Sequence, residues 1–147
     1  MVKPEDNYDL SSIQVEQLTF DQNGLIPAVI QDYRNGAVLM LGYMNREAVR
    51  RTMTEGRVCF WSRSRQVYWV KGETSGNYLL VKAIHVDCDY DALLLNVVLQ
   101  GPGKTCHTGR YSCFFNHIKV YSNSDLDCHQ TAGTHLKEND KLGLKND

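Results

Sequence analysis

The feature that most constrains the fold of this chain is a series of short apolar segments separated by polar or glycine-containing ones. Short runs rich in β-branched and aromatic residues, bounded by turn residues, are typical of β-strands. The predicted strands lie within residues 25–33, 37–44, 58–61, 67–70, 78–86 and 92–99. Asn35-Gly36, between the first two, is a typical hairpin dipeptide. The body is therefore predicted to be rich in β-structure and to begin with a hairpin.

One segment has helical signals instead. Asn45 can cap the N-terminus of a helix over residues 46–55, and Gly56 can end it. Its apolar face would consist of Ala48, Val49 and Met53. We therefore predict a mainly β fold of the α+β class with one main helix.

Length and charge limit the function further. The chain has 147 residues, which suits one domain, and we place that domain at residues 1–121. Residues 122–147 lack apolar periodicity and are predicted to form a polar, mobile tail. Sixteen basic and seventeen acidic residues leave a net charge of −1. This balance argues against a nucleic-acid polymer as partner, but not against a single nucleotide.

No apolar stretch at the N-terminus or later suggests a signal peptide or a membrane span, so a cytoplasmic location is expected. The five cysteines make an odd count. Because reducing compartments keep thiols free, metal binding or catalysis is a better interpretation of some of them than a disulfide framework.

Cys88, Cys106 and Cys113 stand in polar, turn-rich segments, whereas Cys59 has apolar neighbours typical of core packing. Three thiolate ligands would leave the fourth position of a tetrahedral zinc ion open to water, as in catalytic sites. No C-x-x-C pair is present, so inert thiols remain an alternative on spacing alone.

His107 adjoins Cys106 and has three possible roles: a fourth ligand, a proton shuttle or a loop residue. We favour the shuttle, because a zinc hydrolase needs a side chain that exchanges protons near neutral pH beside its water.

The second candidate cluster is acidic. Asp87, Asp89 and Asp91 follow an apolar strand, and three close carboxylates repel one another unless a hard cation such as magnesium or calcium neutralises them. A solvated acidic turn is the alternative. If residues 86–89 stay extended, Cys88 points away from Asp87 and Asp89 and cannot share their ion.

Residues 61–77 are the third candidate segment. Arg63, Arg65 and Lys71 provide cationic donors, and residues 74–77 could form a backbone and hydroxyl cradle for a phosphate. A polar hairpin with surface charges is the alternative interpretation.

Taken together, these segments resemble the phosphoribosyl-AMP cyclohydrolase family. The resemblance is carried by six motifs in the family's order: MNREA at 44–48, FWSRSR at 60–65, WVKGETSGN at 69–77, DCDYD at 87–91, CHTG at 106–109 and SCF at 112–114. It covers about residues 18–118. Two rivals fit less well. A zinc-stabilised structural module needs no acidic triplet, and a nucleoside deaminase should show H-x-E and P-C-x-x-C.

The resemblance implies a small β-rich pseudobarrel that forms an intertwined homodimer. Its zinc ion would be bound by Cys106 and Cys113 of one chain and by Cys88 of the partner subunit, and magnesium would be bound by Asp87, Asp89 and Asp91. The implied reaction is hydrolysis of the N1–C6 bond of N1-(phosphoribosyl)-AMP in histidine biosynthesis, without a fused pyrophosphohydrolase domain, and His107 is the expected catalytic residue. The expected substrate contacts are Arg63, Arg65, Lys71, Glu73, Thr74, Ser75 and Asn77.

Overall fold

The computed structural model of the chain describes residues 12–121. A 3-10 helix at Val15–Gln17 precedes the first strand. The strands are β1 (Ile26–Asp32), β2 (Val38–Met44), β3 (Cys59–Ser62), β4 (Val67–Val70), β5 (Leu79–Val86) and β6 (Leu93–Leu99), and the helix α1 (Arg46–Glu55) joins β2 to β3. The prediction of a mainly β fold with one main helix is confirmed.

The predicted hairpin is formed by β1 and β2, which pair antiparallel with Ile26 opposite Met44. Its turn contains Gly36 at a φ of 76°, and the side chain of Asn35 accepts the backbone N–H of Ala37 at 2.9 Å. Alternate residues of β1 are buried, and this inward series ends at Asp32. The hairpin therefore directs one carboxylate toward the interior.

The main sheet has the order β2-β1-β6-β5. β1 pairs parallel with β6, whereas β5 and β6 form an antiparallel hairpin in which Val86 lies opposite Leu93. β3 and β4 form a separate two-stranded sheet. An isolated bridge between Arg57 and Leu80 links the segment before β3 to β5. This arrangement places the acidic segment 87–91 in the β5–β6 turn.

The helix α1 has the predicted ends. Asn45 accepts the backbone N–H of Ala48 at 2.9 Å, and Gly56 adopts a left-handed conformation with φ 67°. The predicted apolar face is wrong at one position, because Met53 is 55% exposed and Thr52 is buried in its place. Thr52 can be buried because its hydroxyl donates to the carbonyl of Ala48 at 2.8 Å.

The backbone of β2 packs closely against β3 at Gly42. A Cβ atom at Gly42 would collide with the ring of Phe60, a side chain that is itself buried in the core. A glycine is therefore needed at this point of β2.

The chain divides into two compact units, Met1–Phe115 and Asn116–Asp147. Only residues 116–121 of the second unit are described, and there the Lys119 ammonium lies 4.8 Å from the centre of the Tyr121 ring. The predicted polar tail at 122–147, including Cys128, lies outside the described residues. Within those residues, no helix is both long and apolar enough to cross a bilayer.

Candidate active site

Two of the three candidate zinc ligands lie on one loop after β6. The carbonyl of Arg110 accepts the backbone N–H groups of Thr105 at 3.1 Å and Cys106 at 3.0 Å. The backbone N–H of Cys113 donates to the carbonyl of Leu39 on β2 at 2.8 Å. These bonds bring the Cys106 and Cys113 side chains near each other, so that each thiol influences the pKa of the other.

The two thiols differ in acidity. Hydrogen bonds from the side chain and backbone of Thr108 lower the pKa of Cys106, and Cys113 and Lys71 add to the effect. Burial and the neighbouring Cys106 raise the pKa of Cys113 to about 11, although Lys71 opposes this rise. Cys106 is therefore the more acidic thiol of the two, and Cys113 the less acidic.

Two polar groups flank Cys106. The hydroxyl of Thr105 is almost completely buried and has no hydrogen-bond partner among the described residues. His107 is exposed, and its Nδ1 atom lies 3.9 Å from the Cys106 sulfur. Soft sulfur donors beside a histidine match the chemistry of a zinc centre.

Cys88 is exposed in the β5–β6 turn, separate from the cysteine pair. Among residues 12–121, the only three possible metal ligands whose donor atoms all lie within 4.8 Å of one another are Asp87, Asp89 and Asp91. The three cysteine sulfurs therefore do not form one cluster within a single chain.

The acidic segment is a turn and not an extended strand. β5 ends at Val86, and the backbone N–H of Tyr90 donates to the carbonyl of Asp87 at 3.2 Å. The prediction that Cys88 points away from Asp87 and Asp89 required residues 86–89 to be extended, and they are not. Cys88 still remains outside the carboxylate cluster, because the turn brings only the three aspartates together.

The carboxylates of this turn are inequivalent. Asp87 accepts the backbone N–H of Asp91 at 3.0 Å and that of Ala92 at 3.1 Å. Desolvation opposes the shift, but these hydrogen bonds and others from Asp91 and Asp89 lower the pKa of Asp87. Hydrogen bonds with Asp89 and Asp87, together with their charges, raise the pKa of Asp91 to about 6. Oxygen donors this close together suit a hard divalent cation.

The GETSGN segment forms a closed loop before β5. Gly72 has a φ of 94° and lies directly against the backbone of Asn77 and Tyr78, so a side chain would not fit there. Gly101, at the start of the segment leading to Cys106, packs against Gly76 and Asn77. The Asn77 side-chain oxygen is buried and lacks a hydrogen-bond partner among the described residues. Glu73, Thr74 and Ser75 are exposed.

The three predicted cationic residues lie in different environments. Arg63 and Arg65 are exposed in the β3–β4 turn, and the Arg63 guanidinium lies 3.9 Å from the centre of the Tyr43 ring. Lys71 is only 8% exposed, and its charge acts on both thiols of the cysteine pair. Lys71 is thus associated with the candidate zinc ligands, whereas the two arginines are exposed and accessible to a ligand in solution.

Sequence reasoning missed Asp32 and Tyr111. The Asp32 carboxylate is buried and hydrogen-bonded by the Tyr111 hydroxyl, two residues before Cys113. Burial raises the pKa of Asp32, but the hydrogen bonds from Tyr111 and Arg34 outweigh it and leave the pKa lowered. The signal in the sequence was Asp32 itself, a charged residue at an inward-facing position of a strand rich in β-branched residues.

Comparisons with known proteins agree with the motif pattern. The family profile described as Phosphoribosyl-AMP cyclohydrolase matches residues 40–115, which include the helix, both candidate metal-ligand clusters and the GETSGN loop. The match therefore spans half of the chain and all three candidate segments.

Individual relatives extend the match. The chain is 56% identical to Phosphoribosyl-AMP cyclohydrolase of Cereibacter sphaeroides strain KD131 over 69% of this chain and 84% of the relative. It is 48% identical to the protein of the same name from Chloroherpeton thalassium, over 86% and 88% of the two chains. It is 53% identical to the histidine biosynthesis bifunctional protein HisIE of Thermosynechococcus vestitus, over 72% of this chain and 49% of that protein.

Proposed function

The chain belongs to the phosphoribosyl-AMP cyclohydrolase family, and on that premise we propose that it hydrolyses the N1–C6 bond of N1-(phosphoribosyl)-AMP with zinc as its catalytic metal. The observation that carries the metal assignment is the proximity of Cys106 and Cys113 on one loop, where each thiol influences the pKa of the other. Two neighbouring thiols, one of them with a lowered pKa, offer a cation two soft donors at a single place.

The third zinc ligand in this proposal is Cys88 of the partner subunit. Within one chain Cys88 is exposed and does not cluster with the other two cysteines. Apolar surface on β2 and after Cys113 supports a homodimer, since Leu41 is 44% and Phe114 62% exposed. A second copy that covers such surface could also supply the missing thiolate.

The acidic turn is the proposed magnesium site. Its three carboxylates already lie within 4.8 Å of one another and are exposed to a solvated cation. Magnesium prefers oxygen ligands and commonly keeps waters while it contacts phosphate groups. The turn would therefore bind the cation that accompanies the phosphates of the substrate.

When bound, zinc supplies the Lewis acidity that activates water for attack on C6 of the purine. His107 then has a proton to move. Its ring is exposed to solvent, and its Nδ1 atom lies 3.9 Å from the sulfur of Cys106, one of the proposed zinc ligands. We assign it to take the proton of the attacking water and deliver it to N1 as the N1–C6 bond breaks.

The remaining polar groups position the substrate in this proposal. Arg63 and Arg65 offer exposed guanidinium groups, and Glu73, Thr74, Ser75 and Asn77 line the closed loop between β4 and β5. Lys71 is the exception among the predicted contacts. Because it is buried and favours the charged form of both thiols, its role is to balance the negative charge of the thiolates.

The test is an activity assay with metal analysis on the same sample. Purified protein is mixed with N1-(phosphoribosyl)-AMP, and opening of the purine ring is followed by ultraviolet absorbance. We expect turnover that is lost on chelation and restored by zinc. Cys106→Ser should lose both zinc and turnover, whereas Cys59→Ser, in the core, should keep both.

Two results would contradict parts of this proposal. Full turnover by thoroughly metal-free protein would remove zinc from the mechanism. Loss of zinc in Cys59→Ser equal to the loss in Cys106→Ser would refute the assignment of the ligands.

A further inference from the structure

The pair formed by Asp32 and Tyr111 links the first hairpin to the cysteine loop. The Tyr111 hydroxyl donates to Oδ2 of Asp32 at 2.5 Å and accepts from the side-chain amide of Asn35 at 3.1 Å. The other carboxylate oxygen of Asp32 accepts the backbone N–H of Arg34 at 2.9 Å. Tyr111 is therefore docked in the β1–β2 turn, far from its own position in sequence.

Tyr111 lies between the two attachments that place the cysteines. On one side, the carbonyl of Arg110 holds the backbone of Cys106. On the other side, the Ser112 hydroxyl donates to the carbonyl of Val38 at 2.8 Å, and the Cys113 backbone is bonded to β2. A shift of Tyr111 along the hairpin would therefore move both sulfur positions.

The Asp32 carboxylate gives this docking its specificity. Its side chain is 0% exposed, and the Arg34 guanidinium that accompanies it is 60% exposed and no closer than 3.4 Å. Removing the short Tyr111 hydrogen bond from this buried charge is unfavourable, because only the 3.4 Å contact with the exposed Arg34 guanidinium would remain at Oδ2. The bonds of Ser112 and Cys113 to strand carbonyls could form in a shifted register, but only one register gives Asp32 the Tyr111 hydroxyl.

We propose that the Asp32–Tyr111 hydrogen bond is a positioning contact that holds Cys113 at the correct place relative to Cys106 for binding zinc. This inference rests on the proposed zinc function of the two cysteines. Tyr111 and Asp32 act through the backbone of the loop and do not touch the metal. Substitution of either residue should therefore lower the zinc affinity more than it lowers the stability of the fold.

The experiment compares full-length wild type, Tyr111→Phe and Tyr33→Phe. Tyr33 follows Asp32 on the same hairpin and is 55% exposed, so it is a matched control for loss of a tyrosine hydroxyl. Zinc affinity is measured by competition with a chelator, and the site is also loaded with cobalt(II) for absorption spectroscopy. Groups that orient metal ligands typically affect metal affinity by about 10- to 100-fold. We expect Tyr111→Phe to bind zinc at least about tenfold more weakly with altered cobalt bands.

A positioning role predicts changes that a purely structural role does not. Tyr111→Phe with wild-type zinc affinity and cobalt bands would overturn the inference, even if its melting temperature fell. Asp32→Asn, which keeps the size of the side chain but removes its charge, provides a second variant with the same readout and the same expected direction. If wild type and Cys106→Ser bound zinc equally, the proposed zinc site itself would fail, a result distinct from failure of the positioning contact.

Discussion

The side chain of Thr52 accepts the backbone N–H of Cys59 at 3.0 Å, and this contact joins the helix α1 to the start of β3. Both residues are buried, and the same hydroxyl donates to the carbonyl of Ala48 inside the helix. One threonine therefore satisfies a strand N–H that β4 does not satisfy. The contact also determines which face of the helix packs against β3.

This contact can be tested with two threonines of the same helix. Thr52→Val keeps the shape of the side chain but leaves the Cys59 N–H buried without this acceptor, so we expect a loss of about 1–3 kcal/mol in the free energy of unfolding. Thr54 makes an equivalent bond to the carbonyl of Arg50 at 2.8 Å but is exposed. Thr54→Val should change the stability by less than about 0.5 kcal/mol. Urea denaturation measures both, and equal effects would contradict the proposed role of Thr52.

The acidic turn should bind magnesium in a pH-dependent way. The pKa of Asp91 is raised to about 6 by Asp89 and Asp87, so a proton occupies the cluster below that pH. Because the cation needs charged carboxylates, magnesium affinity should rise as the pH increases through 6 and fall by roughly tenfold per pH unit below it. Calorimetric titration with MgCl2 between pH 5 and 7.5 measures this dependence.

The matched variants for this prediction are Asp91→Asn and Glu55→Gln. The first removes the group with the raised pKa, so the remaining magnesium affinity should be weak and nearly independent of pH in this range. The second removes an exposed acid at the end of the helix and should leave the titration unchanged. Magnesium binding that is equally strong at pH 5 and pH 7.5 would argue against the cluster as the site.

His107→Ala should separate proton transfer from metal binding. The variant keeps all three proposed thiolate ligands, so its zinc content should match that of wild type, while its turnover falls on the order of a hundredfold or more. The pH dependence of kcat should change at the same time. Normal turnover with an unchanged pH profile would make His107 a loop residue, and loss of zinc would make it a ligand.

The parts of the fold that depend on neighbouring residues were predictable from the sequence. Asn35-Gly36 specifies the hairpin turn, and Asn45 and Gly56 specify both ends of the helix through local hydrogen bonds and a left-handed glycine. The helical face was predicted wrongly at one position, since apolar spacing favoured Met53 over Thr52. The hydroxyl of Thr52 found partners on both the helix and β3, which composition does not reveal.

Long-range relationships were not predictable in the same way. The parallel pairing of β1 with β6 and the contact between Asp32 and Tyr111, 79 residues apart, depend on how distant segments meet. Lys71 was expected among the cationic phosphate donors, but folding buries it where its charge acts on the cysteine pair. Residue types were enough to predict the candidate metal-ligand motifs, whereas the long-range contacts that hold these segments could not be predicted from them.

The proposed sharing of zinc between subunits makes a quantitative prediction. In a two-fold dimer each site would take Cys106 and Cys113 from one chain and Cys88 of the partner subunit. Homodimers of Cys88→Ala and of Cys106→Ala should therefore both be inactive. In a mixed dimer of the two variants, one site receives both substitutions and the other receives neither.

The two inactive variants are unfolded together, refolded with zinc and assayed. Random association makes about half of the dimers mixed, each with one intact site, so about a quarter of wild-type activity should return. Each variant refolded alone is the control and should stay inactive. A zinc site formed within one chain predicts no recovery, because every chain carries a damaged site. A refolded mixture shown by mass spectrometry to contain mixed dimers, and still inactive, would exclude the shared site and require all three ligands to come from one chain.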